Sequence, residues 1–193
     1  MRALDSRSRD SSGRPDSTTR DSWGRAPREG ERHVKRKQVH VIDFRLEELG
    51  VVVEQMDLMG NAHTGWLNFR PAVPEEEEPP APTGLDMLFS TAVHDVPICT
   101  WMAGKTNRHG VAPDSLGVQH SAGTKTLAHL ASLGLALPTG WRVVQDHPRR
   151  GLVVLAPAGT GHLEELSWLI QSGTLLSTVR VTGEWHAEVH GAP

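Results

Sequence analysis

Between a predicted strand and a predicted helix the chain reads His120-Ser121-Ala122-Gly123-Thr124-Lys125-Thr126. Backbone N–H groups at a helix start attract anions, glycine lets a ligand come close, and Ser, Thr and Lys add donors. His120, Ser121, Gly123, Thr124 and Lys125 therefore form a candidate anion-binding set. The plain alternative is an N-cap by Ser121 or Thr124. The stretch is not a Walker A loop, because Thr124 separates Gly123 from Lys125 and Val118 stands five positions before Gly123.

Ten of the eleven histidines lie beyond residue 37, which raises metal binding as a second chemistry. In the last predicted strand Glu184, His186, Glu188 and His190 alternate with Trp185, Ala187 and Val189, so the former four share one face. His186 and His190 are the candidate metal ligands, and the solvent face of an amphipathic strand is the competing reading. Asp146-His147 and His94-Asp95 are candidate acid–base pairs. Neighbours along a strand point to opposite faces, so neither dipeptide implies contact. Cys99 is the single cysteine and sits in an apolar stretch, where it reads as core and not as a nucleophile. No Gly-x-Ser-x-Gly elbow, His-Glu-x-x-His pair or paired-cysteine motif occurs, which removes the common hydrolase, zincin, redox and zinc-finger readings. No cofactor is implied.

The elements that would position these residues follow from periodicity and turn residues. Strands are expected at 39–44, 65–70, 85–92, 97–103, 116–120, 141–146, 152–155, 175–181 and 184–190. The stretch 51–58 fits either a strand or a helix. Its β-branched Val51-Val52-Val53 favours a strand hairpinned to 65–70, whereas Leu46, Leu49, Val53 and Met56 also fit one helical face. Helices are expected at 124–133, with Gly134 as its stop, and at 162–171, with Gly173 after it. In the second helix Leu163, Leu166, Leu169 and Ile170 form the packing face, and Glu164 and Glu165 are first-turn acids on the solvent side. His147-Pro148-Arg149-Arg150-Gly151 is a hairpin turn. The expected fold class is α+β, a mixed or antiparallel sheet with two main helices. Its C-terminal half follows the βαββαβ order of a ferredoxin-like sandwich, an arrangement shared by many unrelated functions.

Composition sets the frame. A length of 193 residues fits one core, and no apolar run approaches the length of a membrane span. Residues 1–37 carry eleven Lys/Arg against six Asp/Glu, while 38–193 carry nine against seventeen. Residues 1–37 thus read as a disordered basic leader, too poor in apolar side chains to form a core. Val34 is compatible with an alternative start codon, in which case residues 1–33 would not belong to the native chain. Residues 38–193 read as a single α+β domain with an acidic Pro/Glu loop at 71–84. The absence of an N-terminal signal pattern and the lone cysteine point to the cytoplasm. The expected function is a non-catalytic cytosolic module binding a protein partner or small ligand. The alternative is an enzyme acting on an anionic or phosphorylated small molecule at the 120–126 turn, with His120 or His147 as acid–base. An acidic body argues against nucleic acid as the partner.

Overall fold

The computed structural model describes residues 40–78, 95–108 and 110–191. The expected leader and the 85–92 strand lie outside these residues, as does His94. Among the described residues the chain forms one large antiparallel sheet with three α-helices. The strands are β1 (His40–Arg45), β2 (Trp66–Pro71), β3 (Ile98–Met102), β4 (Thr106–Asn107), β5 (Gly110–Val111), β6 (Asp114–Gln119), β7 (Arg142–His147), β8 (Gly151–Ala156) and β9 (Glu184–His190). The helices are α1 (Gly50–Asn61), α2 (Thr126–Ser132) and α3 (His162–Leu176). Strands β4 and β5 form a small separate hairpin, and the others run in the order β1-β9-β2-β3-β6-β8-β7.

The inward residues alternate along each strand. Leu67 and Phe69, Cys99 and Trp101, Leu116 and Val118, and Trp185, Ala187 and Val189 are buried, as the period of two requires. Against this face α3 packs across β2, β3 and β6, and α1 and α2 flank it toward β1 and β7 respectively.

Residues 51–58 are helical, which overturns the hairpin reading. Val52, Met56 and Met59 are fully buried, at the i, i+4, i+7 spacing of one helical face. Burying each such side chain is worth about 1.5–3 kcal/mol, more than the few tenths per residue by which valine disfavours a helix. The 175–181 strand is likewise absent, because α3 continues to Leu176, which is buried. Gly173 is therefore not a helix stop. It lies where α3 crosses β3 and β9, and a Cβ there would stand 2.7 Å from Cys99 Sγ and 2.8 Å from the Trp185 ring.

From β6 onward the element order is β-α-β-β-α-β, yet the sheet differs from a ferredoxin-like one. There the last strand would lie beside the first; here β2 and β3 stand between β9 and β6. The N-terminal half thus shares the sheet and does not merely precede it.

Candidate functional site

In the 120–126 turn the helix start and His120 find hydrogen-bond partners within the protein, while the buried Ser121 hydroxyl has none. Lys125 takes a left-handed conformation with φ of 60°, and α2 begins at the next residue. Its first N–H groups are met by a side chain from β7. Asp146 Oδ1 accepts from Thr126 N at 3.1 Å, and Oδ2 accepts from Leu127 N at 3.2 Å. The protein's own carboxylate thus stands where an external anion would bind, and it, not Ser121 or Thr124, caps the helix. His120 is buried and neutral in character. Its Nδ1 accepts from Ala122 N at 3.1 Å, which leaves Nε2–H to donate to Thr126 Oγ1 at 2.9 Å. Burial lowers its pKa below 6.5. Gly123, with φ of 84°, turns the chain between the two.

Strand β9 has the expected alternation, but its histidines do not converge. His186 Nδ1 lies 2.6 Å from Asp43 Oδ1 on β1. His190 stacks on Trp66 with centroids 5.0 Å apart, and its Nε2 approaches Asn68 Nδ2 at 3.3 Å and Glu188 Oε2 at 3.5 Å. Four residues of strand separate them by roughly 13 Å. His147 Nδ1 accepts from Arg149 N and Arg150 N in the β7–β8 turn, so Asp146 and His147 serve separate local roles. Cys99 is buried, and desolvation pushes its thiol up to about 12. That is far from a reactive thiolate.

The ionisable cluster among the described residues lies elsewhere, at the first turn of α3. His162 and Glu165 are three residues apart and so project from one side of the helix. Asp114, the first residue of β6, meets them from the sheet, and one ligand atom from each of the three lies within 4.8 Å of the others. Glu165 is 1% exposed. This corrects the expectation that it faces solvent, and Leu163, expected in the core, is 55% exposed instead.

Each member of this trio is gripped on its outer side. Gly104 N donates to Asp114 Oδ1 at 2.6 Å. The indole Nε1–H of Trp101, on β3, donates to Glu165 Oε2 at 2.7 Å. His162 Nδ1 lies 2.6 Å from Asp57 Oδ1 on α1. The imidazole is held in plane by Trp101, whose ring stands edge-on at 5.3 Å and 83°, and by Gly60. A Cβ at Gly60 would fall 2.7 Å from His162 Cε1, so only glycine leaves the ring its seat. On the inner side, His162 Nε2 stands 3.4 Å from Asp114 Oδ2.

The electrostatics follow from this arrangement. Hydrogen bonding to Asp114 raises His162 to about 9, with burial opposing and Asp57 assisting. Burial raises Glu165 to about 8, the charge of Asp114 adds to the rise, and the Trp101 bond offsets part of it. At neutral pH an imidazolium therefore lies between two aspartates, and Glu165 is a neutral acid beside one of them. The His162 and Asp114 side chains are each 17% exposed and Asp57 is 57% exposed, so the cluster opens to solvent on the α1 side. Comparison with protein families, curated proteins and solved structures finds no match to this chain.

Proposed function

We propose that the protein is a cytoplasmic binding module, and that its ligand is a divalent cation held by Asp114, His162 and Glu165. The observation that carries this reading is the division of labour within each side chain. One polar atom of each is fixed by Gly104, Asp57 or Trp101, Asp114 Oδ2 and His162 Nε2 face each other at 3.4 Å, and one donor atom from each of the three falls within 4.8 Å of the others. Metal bonds of about 2.0–2.2 Å bring donors to roughly 3–4 Å from one another, so a small inward movement of donors lying within 4.8 Å suffices. Once deprotonated, two carboxylates and an imidazole suit a cation, which binds by displacing the protons that His162 and Glu165 hold at neutral pH.

Equilibrium dialysis of the full chain against Mg²⁺, Ca²⁺, Mn²⁺ and Zn²⁺, with metal content measured afterwards, tests the reading. One equivalent of at least one cation is expected, and the Asp114→Asn/Glu165→Gln double variant should lose it. Absence of any stoichiometric cation, or retention of it by a folded double variant, overturns the proposal.

A further inference from the structure

We infer that this cation is a transition metal of the zinc class, bound through His162 Nε2, and that Asp57 is the positioning residue that presents that nitrogen. The inference rests on the cation-binding reading and narrows it. A histidine can ligate through either ring nitrogen, and the hydrogen bond made by one decides the other. Here the Asp57 carboxylate accepts Nδ1–H at 2.6 Å, so the proton that metal binding displaces from the imidazolium is the one on Nε2, whose lone pair then faces the centre. Nε2 is also the nitrogen that faces Asp114 Oδ2. A metal-bound histidine that donates its outer N–H to a carboxylate is a recurrent device for fixing the tautomer and strengthening the nitrogen as a donor.

The donor set then selects the ion. Ca²⁺ takes six to eight oxygens, and Mg²⁺ demands near-octahedral oxygen coordination and gives up its waters reluctantly. A rigidly seated imidazole is of little use to either. Zn²⁺ and Co²⁺ accept mixed nitrogen and oxygen donors in four-coordinate geometry. Three protein donors leave one position of such an ion to water, and the part-exposed His162 and Asp114 give water its path.

The test uses the full chain and Co²⁺ as a visible reporter. Co²⁺ should bind one to one with the intense d–d bands of four- or five-coordination, Zn²⁺ should displace it stoichiometrically, and millimolar Mg²⁺ or Ca²⁺ should not. In ¹⁵N spectra Zn²⁺ should shift His162 Nε2 far more than Nδ1. Asp57→Asn should weaken Zn²⁺ binding about 10–100-fold and shift the cobalt bands, with Asp57→Glu restoring part of the affinity. Because Asp57 is largely exposed, the melting temperature of the metal-free variant should change little. Binding of Ca²⁺ or Mg²⁺ as tight as Zn²⁺ would overturn the zinc-class assignment while leaving a cation module intact. An Asp57→Asn variant with unaltered affinity and spectrum overturns the positioning role. Failure of every cation to bind removes both readings.

Discussion

Replacing Glu165 by glutamine isolates the most unusual ionisation in the fold. At pH 7 the Glu165 carboxyl is protonated, since burial and Asp114 hold its pKa at about 8 against an ordinary 4.5. Glutamine offers the same outline, with a carbonyl to accept from Trp101 Nε1 and an amide N–H to donate to Asp114. The pH dependence separates the two residues. A folded-state pKa above the unfolded value means the native protein keeps a proton that the unfolded chain gives up. Stability from this group is thus fully present below pH 4.5 and lost as pH rises through about 8. Each pH unit in that window is worth up to ten-fold in the folding equilibrium. The whole span sets an upper bound of about 5 kcal/mol, and coupling to Asp114 and His162 reduces the expected figure to about 2–3 kcal/mol. The assay is urea unfolding of both proteins in the presence of EDTA at intervals from pH 5 to 9. The stability of Glu165→Gln relative to the parent should rise by that amount between pH 5 and 8 and then level off. A difference that stays constant with pH would show that Glu165 ionises as an ordinary surface carboxylate, and the description of the cluster would be wrong.

Leu169→Ala should destabilise by about 2–5 kcal/mol in denaturant melts and Leu163→Ala by under about 0.5, since Leu169 is fully buried and Leu163 half-exposed. Asp146→Ala removes both hydrogen bonds that cap α2 and should lower stability by about 0.5–2 kcal/mol, whereas Lys125→Ala should be nearly silent in the same melts. Thr126→Val strands the buried His120 Nε2–H and should cost about 1–3 kcal/mol at pH 8. Because His120's folded-state pKa lies below 6.5, the stability this ring contributes is present above pH 6.5 and lost as pH falls through the lowered value. A pH series on His120→Gln, which cannot titrate there, should lack that acid-side loss. Gly60→Ala should weaken Zn²⁺ binding by isothermal titration, because the new methyl group displaces His162 from its seat.

Local patterns announced the elements that obey one period. The alternation in Glu184–His190 marked β9 with its buried Trp185, Ala187 and Val189, and the proline–glycine turn marked the β7–β8 hairpin. Where two periods competed, as at Val51–Met59, only tertiary burial decided. The cluster itself was hidden for a physical reason. Acids in the first turn of a helix are favoured by the backbone dipole whether or not they are buried, so Glu165 looked like an ordinary surface acid. Trp101 and Asp114, which meet Glu165, and Asp57, which meets His162, come from three other elements, and their approach depends on a strand order that no local pattern encodes. The His162/Glu165 spacing of three was the one available signal. Conversely, Asp146 was noticed for its neighbour His147, although its partner is a helix start twenty residues upstream.

Strand β9 lies between β1 and β2, pairing antiparallel with both, from His40↔Val189 and Trp66↔His190 at one end to Arg45↔Glu184 and Pro71↔Trp185 at the other. Among the described residues β1 and β2 are thus parallel and one strand-width apart, with β9, the strand furthest along the chain, between them. A growing chain can pair β2 with β3 and assemble the β6–β8 side as it leaves the ribosome, yet β1 has no ladder to join until residue 190 is free. Closure therefore draws together residues separated by nearly the whole folded domain, a topology that slows folding. Loss of the final seven residues of the sheet would not trim an edge. It would cut β1 from the rest and bare the Trp66–Pro71 ladder to pairing with other chains.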